Sequence, residues 1–359
     1  YPSGDPTFGS SRWPSKDVCK EICDVLLAQG IRRISGQIRL STTYSSEIPD
    51  GWIWGDIGNY YGAAPQFFNF AENSFTTYFE GGKQEGKPSK ISGFSRNLLD
   101  YQILNEVTTG PLDSGDQVMI YSSPLSQSIS LTGTVPAKSS RFPVKGTLPN
   151  PWKTFCTELE ESLKLHAILF SKSETPDYSP EKHLVHFFSP ILSEIVTLCN
   201  HESINLYADG LLKASFSTKN SYATFDESIE RLRAHWQKQG IDWSSFRLED
   251  GSGLSSQNLV QAKSYSQFLG QIIDTPYFQE FVKTIPRMGI SGTVKSLPTP
   301  KRPVYVKSGT INGVKTYAGF VKNGAGEWLT FFVGVDRYTT KEAKEVRKFL
   351  TDFLMELGE

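Results

Sequence analysis

The sequence lacks both an excess of one charge and any long apolar run. Its 359 residues include 37 Lys and Arg against 38 Asp and Glu. A formal net charge of −1 indicates no basic surface for nucleic acid or for an anionic membrane. The longest apolar stretches, such as 328–335, have the length of a strand, whereas a membrane-spanning helix needs about 20 residues. We therefore expect no nucleic-acid partner and no membrane span.

Cysteine and histidine are also scarce. The cysteines are Cys19, Cys23, Cys156 and Cys199. They form no C-x-x-C pair and no zinc-ligand spacing with a histidine, so we expect buried thiols. The histidines form neither H-E-x-x-H nor H-x-x-E-H, and no G-x-S-x-G serine elbow or phosphate loop occurs. These absences argue against a metal, a cofactor or an α/β-hydrolase triad.

Methionine is missing from the start of the chain. The sequence begins at Tyr1, and its first methionine is Met119. Because translation starts with methionine, we expect a processed, trimmed or incompletely represented polypeptide. A removed signal peptide and the loss of a longer N-terminal piece are the two explanations.

The length of the chain predicts two or three domains, and the hydrophobic pattern predicts mixed α and β structure. A first helix is predicted between an N-cap at Ser15 and a stop at Gly30. Pro176 and Pro180 interrupt the chain, and we place a domain boundary near 171–180. Further helices are predicted at 152–170, 181–198, 204–214, 221–239, 259–272 and 340–357, and strands at 34–40, 304–306, 316–321 and 327–335. The C-terminal half therefore predicts a sheet flanked by helices, with the last helix packed on that sheet.

A predicted strand near the C-terminus ends in Lys307-Ser308-Gly309-Thr310. Lysine supplies positive charge, the hydroxyl groups donate hydrogen bonds, and glycine lets a ligand lie along the strand edge. The string alone is equally typical of an ordinary hairpin edge. It gains meaning only with other motifs.

Two more strings precede it in the chain. Ser203-Ile204-Asn205 begins a predicted helix, where Ser203 could simply be the N-cap. The stretch 250–255, Asp250-Gly-Ser252-Gly-Leu-Ser, is a glycine-hinged loop that could simply form an Asx turn. Serine enzymes that process D-alanyl peptides and β-lactams use S-x-x-K, S-x-N and K-T/S-G as a set. In that set the first motif holds the nucleophile and its lysine.

Together these strings resemble the low-molecular-mass class C penicillin-binding proteins, the D-Ala-D-Ala carboxypeptidase/endopeptidase family. The similar segments are Gly4-Asp-Pro-Thr7, Gly51-Trp52-Ile-Trp54-Gly-Asp56, Ser189-Pro-Ile-Leu-Ser-Glu-Ile195, Ser203-Ile-Asn-Leu-Tyr-Ala208, Asp250-Gly-Ser-Gly-Leu-Ser255 and Lys307-Ser-Gly-Thr310. Two positions depart mildly from the family motifs, because Ile204 replaces the usual Asp and Ser308 the usual Thr. The order of so many motifs makes the resemblance specific along nearly the whole chain.

The nucleophile is the serious departure from the family. The family places S-x-x-K before G-D-P-T, which begins here at Gly4. The single S-x-x-K of this sequence is Ser179-Pro180-Glu181-Lys182, whose residue types are typical of a helix start. We therefore expect the catalytic serine and lysine to precede Tyr1.

The resemblance implies an α/β (α+β) fold, a penicillin-binding/β-lactamase-like transpeptidase domain with a sheet flanked by helices and a large inserted α/β region. The insertion would cover 1–170, and the catalytic domain, without its nucleophile segment, 171–359. The implied activity is that of a serine D-alanyl-D-alanine carboxypeptidase/endopeptidase, exported to the periplasm or outer wall face. Its partners would be peptidoglycan stem peptides and β-lactam antibiotics.

The resemblance also implies roles for individual residues. The catalytic residues would be Ser203, which relays a proton, Asn205, which holds the acyl side chain, and Lys307, which binds the terminal carboxylate. Substrate-binding residues would be Ser308, Gly309, Thr310, Asp250, Ser252, Trp52, Trp54 and Asp56, the last three reading the diamino acid of the stem peptide. Two alternatives stay open: a non-catalytic wall-peptide or β-lactam-binding homologue, and a β-lactamase or esterase built from the same residues.

Overall fold

The chain folds into two compact units in a computed structural model. The structure describes residues 3–13, 17–40, 47–173, 183–218 and 221–359. Unit 1 comprises Tyr1–Ile48, Trp52–Pro190 and Ser217–Ala223, and unit 2 comprises Pro49–Gly51, Ile191–Phe216 and Thr224–Glu359. The predicted boundary at 171–180 falls mainly outside the described residues, so the division into 1–170 and 171–359 stays a prediction.

Within its described residues, unit 1 combines three separate sets of paired strands with helices. Its elements are α1 (Val18–Ala28), β1 (Arg33–Gly36), α2 (Trp54–Ile57), β2 (Ser74–Glu80), β3 (Lys90–Phe94), β4 (Gln102–Asn105), β5 (Thr108–Gly110), β6 (Gln117–Tyr121), β7 (Ser128–Pro136), β8 (Phe142–Thr147), α3 (Pro151–Leu165) and β9 (Leu169–Lys172). Strand β2 pairs antiparallel with β3 and β8. Strand β7 pairs antiparallel with β6 and parallel with β4 and β5, and β1 pairs parallel with β9.

The core of unit 1 follows the strand and helix periods. Alternate residues of β2 and β7 point inward, so Phe79 and Leu131 share one buried cluster. Helices α1 and α3 bury Cys23 and Phe155 in a second cluster. The expectation of buried thiols is confirmed for Cys19, Cys23 and Cys199, while Cys156 is partly exposed.

The observed ends of three elements in unit 1 bear on the predicted boundaries. The predicted cap Ser15 lies outside the described residues, and the Asp17 side chain accepts a hydrogen bond from the Lys20 N–H at the start of α1. The predicted strand 34–40 ends early, at Gly36 opposite the last residue of β9. The predicted helix 152–170 was too long, because Ala167 adopts a left-handed conformation (φ 55°) and β9 follows.

Unit 2 is built on one antiparallel sheet. Its elements are α4 (Leu192–Glu202), α5 (Asn205–Ala214), α6 (Phe225–Lys238), β10 (Phe246–Arg247), β11 (Leu259–Val260), α7 (Ala262–Ile273), α8 (Phe278–Lys283), β12 (Val304–Ile311), β13 (Val314–Lys322), β14 (Trp328–Asp336) and α9 (Ala343–Leu357). The strand order is β12-β13-β14, so β12 is an end strand of this sheet. Strands β10 and β11 form a separate antiparallel pair.

Helices cover both faces of that sheet. On β13, Tyr317 faces a cluster that contains Leu350 and Leu354 of α9, whereas Phe320 faces Phe278 of α8. Alternate residues of β13 therefore pack into hydrophobic clusters on opposite faces of the sheet. The predicted sheet flanked by helices, with the last helix packed on it, is confirmed.

Helix starts in unit 2 differ from the prediction for local reasons. The predicted helix 181–198 was wrong at both ends, because residues 183–191 are not helical and α4 starts after Pro190. Helix α6 starts later than the predicted residue 221, because the Thr224 hydroxyl and the Glu227 carboxylate each accept a hydrogen bond from the other's backbone N–H. The predicted helix 259–272 started too early, because residues 259–260 form β11 and α7 begins at Ala262. Within the described ranges, no helix has the length and apolarity to cross a bilayer.

Candidate active site

The joint between α4 and α5 holds the S-x-N string. Helix α4 ends at Glu202 and α5 begins at Asn205, so Ser203 and Ile204 alone connect them. Ser203 has φ 56° and ψ 52°, a left-handed conformation that costs an L-residue about 1 kcal/mol or more. The alternative that Ser203 is an N-cap is wrong, because Ser203 ends α4 and Ile204 occupies the N-cap position of α5.

Lys307 of β12 contacts this joint. Its Nζ donates hydrogen bonds to Ser203 Oγ and to the Ser308 carbonyl oxygen, both at 2.8 Å. Since an ammonium group has three N–H donors, one is left for a ligand. Burial lowers the pKa of Lys307, because the charged ammonium group loses hydration. A bound anion would offset this loss of hydration free energy. Together Lys307 and Ser203 form the polar centre of unit 2.

The other face of β12 carries two hydroxyl groups. The register places Ser308 opposite Tyr317 and Thr310 opposite Lys315. Ser308 Oγ lies 2.7 Å from Thr293 Oγ1, and Thr310 Oγ1 accepts a hydrogen bond from Lys315 Nζ at 2.5 Å. Each hydroxyl therefore has a protein partner that orients it.

Gly309 lies between these two hydroxyl residues. A Cβ at this position would come within 2.4 Å of Thr316 Oγ1. The absence of a side chain at Gly309 therefore avoids a clash with the Thr316 hydroxyl on the neighbouring strand.

The glycine-hinged loop is closed by two carboxylates. Asp250 accepts hydrogen bonds from the backbone N–H groups of Gly253 (2.7 Å) and Ser255 (2.6 Å). Asp209 of α5 accepts from the N–H groups of Gly251 (2.7 Å) and Ser252 (2.8 Å). The Asp250 carboxylate thus holds its own loop in place, and its role in substrate binding stays a prediction.

Asp209 is the most perturbed acid of the site. Its side chain is 0% exposed, and burial, followed by the charge of Asp250, raises its pKa to about 8. The hydrogen bonds from Gly251 and Ser252 oppose that rise. Among the described residues no hydrogen-bond partner is found for Asp209 Oδ2. The carboxyl group therefore retains a proton at pH values where an exposed aspartate is ionised.

A cavity of about 590 Å³ in unit 2 joins these groups. Its polar lining includes Ser203, Asn205, Ser252, Lys307, Ser308, Gly309 and Thr310. Its apolar lining includes the rings of Trp236, Trp243, Phe246 and Phe268. The structure therefore brings the three C-terminal strings of the sequence together around one cavity, with Asp250 in its wall.

The remaining predicted residues lie in unit 1. Trp52 is 7% exposed and belongs to the buried core. Trp54 is 55% exposed and stacks on Tyr121 with 6.1 Å between the ring centroids. Burial raises the pKa of Asp56, whose Oδ1 accepts a hydrogen bond from the Tyr61 hydroxyl at 3.3 Å. In this string, Trp54 therefore presents an exposed ring, and Asp56 presents a carboxyl group with a raised pKa.

Sequence reasoning missed three residues of the site: Thr293, Lys315 and Asp209. Lys315 could have been found, since a two-residue Asn-Gly turn at 312–313 sets Thr310 opposite it. Asp209 lies one helical turn after Asn205, a spacing that places both on one face of α5. Thr293 has no local signal, because it reaches Ser308 only through the fold.

Two further points concern absent chemistry. In the part of the chain that the structure describes, no group of three or more His, Cys, Asp and Glu residues is arranged to hold a metal. Ser179 and Lys182, the single S-x-x-K of the sequence, lie outside the described residues.

Comparisons with known proteins show the family of the chain. The model of the D-Ala-D-Ala carboxypeptidase 3 (S13) family matches residues 1–357. The D-alanyl-D-alanine carboxypeptidase DacB of Haemophilus influenzae is 27% identical over 353 residues, 91% of this chain and 71% of that protein. The D-alanyl-D-alanine carboxypeptidase of Actinomadura sp. (strain R39) is 24% identical over 345 residues, 90% of this chain and 63% of that protein.

A solved structure supports the fold. The crystal structure of penicillin binding protein 4 (dacB) from Haemophilus influenzae matches with a TM-score of 0.79 and 24% identity. The match covers 99% of this chain and 80% of that one. The predicted penicillin-binding fold is therefore confirmed.

Proposed function

The chain belongs to the D-Ala-D-Ala carboxypeptidase 3 (S13) family, and we propose that it hydrolyses the terminal bond of D-alanyl-D-alanine stem peptides of peptidoglycan. The reaction passes through an acyl-enzyme: a serine Oγ attacks the penultimate carbonyl carbon, the amine of the last D-alanine departs, and water releases the acyl group. A β-lactam acylates the same serine. Both relatives are D-alanyl-D-alanine carboxypeptidases, which supports this substrate.

One observation carries the proposal: Lys307 Nζ joins Ser203 Oγ to the edge of β12 inside the cavity. Because Lys307 donates to Ser203 Oγ, the serine's own O–H proton is available to the leaving amine nitrogen. The same ammonium group neutralises the carboxylate of the last D-alanine. One cation therefore serves both proton relay and substrate anchoring.

The neighbouring residues complete the binding half of the site. Ser308 and Thr310 donate hydroxyl hydrogen bonds to the terminal carboxylate, and Gly309 lets the peptide lie along β12. Asn205, at the first turn of α5, holds the acyl side with its amide. Asp250, together with Ser252, shapes the loop that closes the opposite wall.

The nucleophile and its base lysine remain a sequence-based prediction, and so do the endopeptidase activity and the wall-facing location. For unit 1 we propose that Trp54 and Asp56 read the diamino acid of the stem peptide, with Trp52 as their packed support. The exposed ring of Trp54 and the raised pKa of Asp56 support this role. If Trp54→Ala and Asp56→Ala variants turn over a diaminoacyl peptide at the unchanged rate, this part is wrong.

Fluorescent penicillin labelling tests the function. In the full-length protein, including the residues that precede Tyr1, we expect one stable covalent adduct and release of D-alanine from a D-alanyl-D-alanine peptide. Peptide mapping should assign the adduct to the serine of an S-x-x-K that precedes Tyr1. The Lys307→Met variant should label at least about 100-fold more slowly, since an active-site charge is lost. Lys344→Met, an exposed lysine of α9, is the matched control and should label normally.

Two other outcomes would overturn the proposal. Rapid loss of the adduct by hydrolysis would make the protein a β-lactamase. Failure to form any adduct, with reversible binding of the peptide, would make it a non-catalytic homologue.

A further inference from the structure

A second lysine reaches the same strand edge from the neighbouring strand. Lys315 on β13 lies opposite Thr310, across the turn formed by Asn312 and Gly313. Residues opposite each other on antiparallel strands share one face of the sheet. The Lys315 ammonium group donates to Thr310 Oγ1 at 2.5 Å. Thr310 is exposed and lines the cavity, whereas Lys315 lies partly buried behind it.

This hydrogen bond decides what the threonine can do. A hydroxyl group has one proton to donate and lone pairs to accept with. Because a lone pair of Thr310 Oγ1 accepts from Lys315, the hydroxyl proton is directed away from Lys315. Thr310 is therefore preset as a donor, which suits a carboxylate oxygen and does not suit an amide N–H.

The charges around this pair point to the same ligand. Lys307, Lys315 and Arg347 of α9 interact electrostatically, and burial with these neighbouring charges lowers the pKa of Lys315. Among the described residues, no salt bridge to a carboxylate is found for any of the three, and Arg347 bonds to Ser296 Oγ at 3.3 Å. The cluster has excess positive charge that an incoming anion would offset.

We propose that Lys315 is a positioning residue for carboxylate recognition, which holds the Thr310 hydroxyl as a donor to the free terminal carboxylate of the substrate and adds a second cation beside Lys307. The inference rests on the proposed function, because it concerns how that substrate is selected. It implies that the site selects acid-ended peptides over amide-ended ones more strongly than Lys307 alone would achieve.

The test compares binding of two probes, diacetyl-L-lysyl-D-alanyl-D-alanine and its C-terminal amide, by ligand-observed NMR. We expect Lys315→Met to weaken binding of the acid about tenfold and binding of the amide less than about twofold, as for a charged hydrogen bond. Lys344→Met removes the same charge from an exposed position of α9 and should change neither. A purely structural role of Lys315 would weaken both probes equally.

A double-mutant cycle tests whether Lys315 acts through Thr310. In a Thr310→Val background, Lys315→Met should weaken acid binding by no more than about threefold, because the hydroxyl is already gone. Full additivity of the two losses, or an unchanged acid affinity in Lys315→Met alone, would overturn the inference. If the wild-type protein does not distinguish acid from amide, the proposed function fails as well. A ratio of acid to amide affinity that stays at the wild-type value in Lys315→Met would remove the inference alone.

Discussion

The ammonium group of Lys307 donates a hydrogen bond to Ser203 Oγ at 2.8 Å, although 104 positions of sequence separate the two residues. Ser203 is held in a left-handed conformation at the joint of two helices, and Lys307 comes from the end strand of the sheet. The contact therefore ties the α4–α5 joint to the edge of β12 and defines the polar centre of unit 2.

The two partners should act as one unit in acylation. We expect Ser203→Ala and Lys307→Met each to slow fluorescent penicillin labelling about 100-fold, and the double variant to be slower than either by less than about fivefold. Ser193→Ala, an exposed serine of α4, should label as the wild type does. Multiplicative losses in the double variant would mean that the two residues act independently.

Binding of acid-ended peptides should weaken at alkaline pH. Burial lowers the pKa values of Lys307 and Lys315 from the ordinary 10.5, so both lose their charge at lower pH than exposed lysines do. The lost charge is the one that attracts the carboxylate, whereas an amide-ended peptide has no such charge. Affinity of the acid probe should fall as pH rises from 7 toward 10.5, and the amide's should stay constant. Parallel profiles for the two probes would contradict this assignment.

Asp209 should make the free energy of unfolding depend on pH. Its pKa is raised from 3.8 to about 8 in the folded protein, so between these values the folded chain keeps a proton that the unfolded chain releases. The Asp209 contribution to stability is fully present below pH 3.8 and is lost as pH rises through 8, by up to about 1.4 kcal/mol per pH unit.

Denaturant unfolding between pH 5 and 8 checks this contribution. Asp209→Asn cannot titrate, so its stability should decline less steeply over this range than that of the wild type. Asp352→Asn, an exposed residue of α9, should keep the wild-type slope. Equal slopes for Asp209→Asn and wild type would show that the buried acid is not the source.

Gly58 should tolerate no side chain. A Cβ there would lie 2.0 Å from the Ile120 carbonyl oxygen, which belongs to β6. Its φ of −81° suits any residue, so the requirement is steric and not conformational. We expect Gly58→Ala to destabilise unit 1 by about 2–3 kcal/mol, measured by denaturant unfolding. Gly93→Ala, with nothing within 4 Å of its Cβ, is the control, and equal effects in the two variants would contradict the argument.

Local patterns predicted the elements that carry the site. The two strands on either side of the turn after Thr310 were predicted from their apolar residues, whose pattern acts over a few residues. The buried stripe of α9, with Leu350 and Leu354, follows from the helical period. These predictions succeeded because the physical cause lies within one short segment.

Prediction failed where two local causes were equally good. A serine before a helix is typical of an N-cap. Ser203 is instead the C-cap of α4, and the N-cap of α5 is Ile204. The apolar pattern at 259–272 predicted a helix that starts at Leu259, yet Leu259 lies in a strand and pairs with Arg247. In both cases the tertiary partner outweighed the intrinsic preference of the residue.

The sequence by itself determined which chemistry is available: a lysine, two hydroxyl residues and a glycine on one strand, preceded by S-x-N and by a glycine-hinged loop. It also determined, through the turn after Thr310, that Lys315 lies opposite that threonine. Only the tertiary structure decided that Ser203 meets Lys307, that Thr293 meets Ser308 and that Asp209 is buried. Hairpin pairing depends on spacing along the chain, whereas these contacts depend on how helices pack on a sheet. That packing is the sum of many weak apolar contacts between distant segments, and no local window of sequence contains it.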